Sequence, residues 1–88
     1  MRISLNQFVE EVKGCTGTLS AVLHEGSIFF PFNGLKSSLS RGNLLLRAAD
    51  RSFSVSRKEV YSIEKSDNNS TEYEIITIHG SSILVSVD

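Results

Sequence analysis

Few residues of this chain stand in a spacing that does chemistry. His24 and Glu25 are neighbours at the end of an alternating apolar segment, so their side chains would diverge to opposite faces instead of forming a proton-transfer dyad. Cys15 follows a helical segment, where the negative end of the helix dipole does not favour a thiolate, and it reads as a buried, inert thiol. As the only cysteine it leaves no material for an intrachain disulfide or a thiolate metal cluster. His24 and His79 have no second ligand at metal spacing, and His79 before Gly80 suits a hairpin corner. The glycines are scattered and form no phosphate-cradling loop, and no pair of carboxylates stands out. The expectation is a protein that is not an enzyme and that needs no cofactor or metal.

Charge is the stronger signal. From Lys36 to Lys58 six bases (Lys36, Arg41, Arg47, Arg51, Arg57, Lys58) stand against Asp50 alone, a local balance of +5. From Glu59 to Asp88 six acids (Glu59, Glu64, Asp67, Glu72, Glu74, Asp88) stand against Lys65, a balance of −5. Two readings follow. The basic segment meets phosphate, because lysine and arginine displace counterions condensed on nucleic acid. Alternatively, basic strands pair with acidic ones, within the chain or across a subunit boundary. Phe29 bears on the same choice. If Phe30 points inward with Ile28 and Phe32, then Phe29 points outward. There it would stack on a base, anchor a subunit contact, or lie under the helix.

The overall charge of −1, with 22% charged residues, describes an ordinary soluble surface. No segment approaches the roughly 20 apolar residues of a membrane span. The opening residues lack the apolar core of a secretory signal, so a cytoplasmic location is expected. Asn68-Asn69-Ser70 and Asn69-Ser70-Thr71 match the glycosylation pattern and read as a polar turn. At 88 residues the chain reads as a single domain, 1–88, burying only about 60–65% of its unfolded surface. With no disulfide or metal to add support, association with further copies is the expected source of it.

The elements that must position these residues change period once. Leu5, Phe8, Val9 and Val12 lie on one face of a helix over about 4–13, with Ser4 and Gln7 spaced as a capping box and Gly14 to stop it. From about 16 to 88 the period is two. Leu19, Ala21 and Leu23 alternate in a strand that ends at a Glu25-Gly26 turn. Ile28, Phe30 and Phe32 form the next, and Pro31 within it argues for an edge or a bulge. Serine-rich Lys36–Gly42 reads as a loop, followed by strands over 43–49, 52–56, 60–65, 71–79 and 81–87. The last two form a hairpin that sets Ile76 and Ile78 against Ile83, Val85 and Val87. The expected fold is mostly β: a short N-terminal helix, then a strongly bent antiparallel sheet or small barrel of five to seven strands.

That order of elements resembles the Sm-like family, whose bent five-stranded barrels assemble into rings and bind RNA. Asn43-Leu44-Leu45-Leu46-Arg47-Ala48-Ala49-Asp50 looks like the asparagine-led strand of the family's first motif. Arg41-Gly42-Asn43 looks like the Arg-Gly-Asn turn of its second. The two matches share Asn43 and belong to opposite halves of the pattern, and Leu39 and Ser40 stand where the family has an aspartate. The resemblance implies a homo-oligomer formed by edge-strand pairing, with Arg41 and Asn43 near a single-stranded RNA; Arg47 and Phe29 complete the candidate set. An SH3-like or pleckstrin-homology-like adaptor with no nucleic-acid role is the alternative.

Overall fold

The computed structural model describes residues 1–23, 26–68 and 70–88. The His24–Glu25 pair, the Glu25-Gly26 turn and Asn69 therefore lie outside the described residues. The opening helical stripe forms α1, Leu5–Val12, with Phe8, Val9 and Val12 buried. Ser4 is its N-cap, accepting the N–H of Gln7 at 3.0 Å. The reciprocal half of the expected capping box is not made, because Gln7 Nε2 donates instead to Glu11 Oε2 at 2.6 Å. Ser4 and Lys13 flank the helix and do not belong to it, and Gly14 turns the chain at φ 78°. A two-residue strand, β1 (Arg2–Ile3), precedes the helix; two residues carry no period to read.

The remaining strands are β2 (Thr16–Leu23), β3 (Gly26–Asn33), β4 (Lys36–Ser40), β5 (Asn43–Ala48), β6 (Arg51–Ser56), β7 (Val60–Asp67), β8 (Thr71–Thr77) and β9 (Ser82–Val87). A 3₁₀ turn, Arg57–Glu59, joins β6 to β7. The described residues thus hold nine strands, more than the five to seven expected. All pair antiparallel, in a six-stranded sheet ordered β1-β7-β8-β9-β2-β3 and a three-stranded sheet ordered β4-β5-β6. Among the described residues the ladders form two sheets and not one closed ring. Pro31 lies in β3, the outermost strand of the larger sheet, where a missing N–H costs no ladder bond.

Alternation explains the core. Lys65, Tyr73, Val85, Leu19 and Phe30 form one inward row across β7-β8-β9-β2-β3, and Ile63, Ile75, Ile83, Ala21 and Ile28 form the next. Leu44, Leu46, Ala48 and Phe53 of the smaller sheet join them in one buried cluster with the helix residues. Where β2 and β9 run together, a Cβ at Gly17 would collide with the Ser86 carbonyl, so only glycine fits.

Two sequence expectations are corrected. Lys36–Gly42 is mainly strand β4, not a loop, because Ser37 and Leu39 turn inward in alternation. Ser37 Oγ donates to the Val9 carbonyl at 2.6 Å, which satisfies a buried hydroxyl and a helix-end carbonyl together. In the last hairpin the register is displaced by one residue. Ile75 opposes Ile83 and Tyr73 opposes Val85, while Ile76 pairs with Ser82 and Ile78 is 58% exposed in the turn. With a period of two, turning Ile76 and Ile78 inward would carry Glu72 and Glu74 into the core. Exposing one isoleucine costs less than burying two carboxylates.

The helix is fastened to both sheets. Ser37 holds it to β4, and on the other side Glu11 Oε1 accepts from Lys65 Nζ and from Tyr73 Oη, each at 2.7 Å. The Phe8 ring meets Tyr73 edge-on at 5.2 Å. The Lys65 ammonium, with Gln7 and Tyr73, holds the Glu11 carboxyl down from 4.5 to about 2. Burial, reinforced by the Glu11 carboxylate, pushes the Tyr73 phenol above its ordinary value, and the Glu11 carboxylate raises Lys65. Among the described residues no helix is long and apolar enough to cross a membrane.

A carboxylate with a depressed folded pKa contributes stability above its unfolded pKa and loses it as pH falls toward the folded value. The Glu11 contribution is therefore whole above pH 4.5 and drains away toward about pH 2. The raised Tyr73 and Lys65 values act at the other end, with stability lost as pH rises beyond the unfolded value of each. Glu11→Gln should cost about 1–3 kcal/mol at neutral pH. Thermal melts of both proteins at neutral and strongly acidic pH check this; a difference that persists undiminished in acid would contradict the tie.

Candidate functional site

The outer face of the three-stranded sheet follows from the same alternation that fills the core. Its cross-strand rows are Lys36–Arg47–Ser52, Ser38–Leu45–Ser54 and Ser40–Asn43–Ser56. Lys36 and Arg47 therefore stand directly opposite each other on adjacent strands, both exposed. Two like charges in that position repel and destabilise the pair. Serine fills most of the remaining positions and offers neither a countercharge nor enough bulk to shield one. Among the described residues none of Lys36, Arg41, Arg47, Arg51, Arg57 and Lys58 makes an ion pair; the ion-paired cations are Lys13 and Lys65.

The β4–β5 turn adds strain to this face. Ser40 pairs with Asn43, so Arg41 and Gly42 are the two central residues, at φ 52° and 78°. Positive φ at both positions makes a type I′ turn, whose twist matches the strands it joins. Glycine takes this at no cost. An arginine there pays roughly 1–2 kcal/mol for its Cβ, a residue type that the turn itself does not ask for. The Arg57 N–H donates to the Gly42 carbonyl at 2.8 Å, which sets the 3₁₀ turn beside Arg41. Arg41, Asn43 and Arg57 thus gather at one end of the face. Lys36 and Arg47 lie at the other, about 13 Å along β5 from Asn43.

Phe29 is elsewhere. It is 62% exposed, as its alternation with Phe30 requires, but it stands on the outer face of the six-stranded sheet. Its row runs Arg2–Glu64–Glu74–Leu84–Ser20–Phe29, charged at one end and apolar at the other. Val22, Phe29 and Leu84 border a shallow concavity of about 520 Å³ with Ser20, Ser27 and Ser82. The structure brings Arg41, Asn43 and Arg47 onto one sheet and separates Phe29 from them.

Among the described residues Cys15 and His79 do not converge. Cys15 is half-buried, its thiol pointing to the Glu11 carbonyl at 3.3 Å. His79 is exposed in the β8–β9 turn, with Nε2 4.0 Å from Glu59 Oε2. Among the described residues no three His, Cys, Asp or Glu side chains are arranged to hold a metal ion.

One exposed aromatic escaped the sequence reading. By alternation Tyr61 would share the inner face with Ile63 and Lys65. A bulge between Val60 and Ser62 breaks the ladder there, and Tyr61 is left 67% exposed, with the Arg2 guanidinium 5.8 Å from its ring centroid. A bulge has no signature in a single sequence, so nothing in the pattern marked Tyr61 as exposed.

Comparison with protein-family models, curated proteins and solved structures finds no match to this chain.

The opposed cations give a direct test. Lys36→Glu replaces a repulsive cross-strand pair with an attractive one and should raise stability by about 0.5 kcal/mol. Melts at low and high salt measure it, and the gain should shrink as salt screens the pair. A neutral or destabilising result at low salt would mean that the two side chains do not meet as charges.

Proposed function

We propose that this protein is a non-enzymatic binding module that holds the phosphate backbone of single-stranded RNA on the outer face of β4-β5-β6. The two bent sheets serve as a small barrel-like scaffold of the Sm-like or SH3-like kind, working in the cytoplasm. The observation that carries this reading is uncompensated charge on and around the face: Lys36 and Arg47 directly opposed on it, and Arg41, Arg51, Arg57 and Lys58 in the same sheet or its turns, none with an ion-pair partner among the described residues. Folding alone gains nothing from such an arrangement, whereas a polyanion lying across it relieves the repulsion and releases its own counterions. The left-handed Arg41 supports the same reading, since a strained residue persists where something other than the turn favours it. In this reading Arg41 and Arg47 neutralise phosphates, and Asn43, between them and exposed, offers an amide to a base edge or a sugar.

Affinity for a short single-stranded RNA, measured at about 50 and 200 mM salt, tests the reading. Two phosphate contacts would give a log–log salt slope of about −1.4. Arg41→Ala and Arg47→Ala should each weaken binding and flatten the slope. Absence of binding at the lower salt would remove the reading.

A second reading, self-association, rests on the other face. Leu84 and Phe29 continue the row in which Glu64 opposes Glu74, and Glu64 Oε2 is enclosed without a hydrogen-bond partner. The occupant that suits an acidic and apolar face is the basic face of a second copy, with Leu45 between its cations. Such head-to-tail contact is heterologous and closes into a ring when its rotation permits. Face docking suits β3 better than extension of its ladder, because Pro31 has no N–H to give an incoming strand. Sedimentation over a wide concentration range should show assembly that weakens in high salt and is lost in the double variant Phe29→Ser, Leu84→Ser. A monomer at every concentration would end this reading.

A further inference from the structure

We propose that Tyr61, Arg2 and Arg57 form a subsite for one unstacked nucleobase and its phosphate, at the edge of the basic face. The ligand class is a single-stranded nucleotide, and the site rests on the polyanion reading above while adding an element that reading lacks. Three observations converge. The bulge at Val60/Ser62 turns Tyr61 out of the sheet, leaving it 67% exposed with the Arg2 guanidinium 5.8 Å from its ring centroid. Arg2, Leu5, Arg57, Tyr61 and Ser62 line a concavity of about 250 Å³. That is below the roughly 300–1,000 Å³ that encloses a whole small molecule, and it suits a flat ring with its sugar and phosphate left outside.

The third observation is continuity. Arg57 is bound through its backbone to Gly42, so the concavity adjoins the Arg41–Gly42 turn. A strand crossing from Arg47 past Asn43 and Arg41 reaches Arg57 next and Tyr61 after it. An exposed aromatic accepts any base, because every base has a π-face, and the neighbouring guanidinium groups stack as well as neutralise. Glu64 faces Arg2 across β1 and β7, and the two make no ion pair, which leaves that guanidinium available to a phosphate.

The chain carries its own reporter. It has two tyrosines and no tryptophan: Tyr73 is buried, so ligand-dependent quenching of tyrosine fluorescence reads Tyr61. The experiment titrates the protein with a short oligouridylate and, separately, with inorganic polyphosphate, which has the charge but no base. Oligouridylate should quench the emission and polyphosphate should bind without quenching. Tyr61→Ala should weaken oligouridylate about ten- to a hundredfold, the worth of one stacked base, and leave polyphosphate unchanged, while Tyr61→Phe restores binding. If both ligands bind without quenching and Tyr61→Ala changes neither, the base subsite is overturned and the basic face stands. If neither ligand binds, the basic face falls, and titration with uridine monophosphate decides the subsite alone: quenching that Tyr61→Ala abolishes upholds it, and none overturns it.

Discussion

An eight-residue helix is too short to persist alone in water, and this fold nevertheless depends on one. α1 supplies Phe8, Val9 and Val12 to the common core, and its polar fastenings are divided between the two sheets. Ser37 takes the Val9 carbonyl on the side of the small sheet, and Glu11 takes Lys65 and Tyr73 on the side of the large one. The helix thus links two sheets that share no ladder. Tyr73 and Lys65 lie in an inward row, where an unpaired hydroxyl or ammonium would be costly, and the Glu11 carboxylate is what makes their position tolerable. Without it the sheets would keep their apolar contacts but lose the group that orients them through the helix.

With the inner faces committed to the core, function is left to the outer ones, and these differ in kind. The small sheet shows serine, asparagine and uncompensated cations. The large sheet shows opposed glutamates that give way to leucine and phenylalanine. Cross-strand neighbours of like sign occur on both faces (Lys36 with Arg47, Glu64 with Glu74), although Arg2 stands on the other side of Glu64. A chain selected for stability alone would alternate them. The small sheet's face finds no countercharge among its own cross-strand neighbours.

Much of this was legible in the sequence because charge and alternation are local. The helix stripe, the edge position of Pro31, the outward Phe29 and the basic middle segment followed from spacing alone. Where reading failed, the deciding partner was remote or the period was broken. Ser37 looks like a loop residue until the helix carbonyl 28 positions away accepts its proton. Glu11 looks like a surface acid until Lys65 and Tyr73 arrive from 54 and 62 positions downstream. The last hairpin was misread by one residue because its isoleucines were weighed without the glutamates that travel with them. Tyr61 was passed over because a bulge shifts the phase without changing composition.

The position of β9 governs how the chain assembles. It lies between β8 and β2, and its pairing joins Gly17 to Val87 across most of the sequence. The β4-β5-β6 meander closes through short turns and can form as soon as it is made, whereas β2 must wait with one flank uncovered until the last strand is synthesised. During that interval β2 presents the inward residues Leu19 and Ala21 beside an open ladder edge, the state in which a nascent chain is most prone to pair with a neighbour. Arrival of β9 is the step that covers this edge.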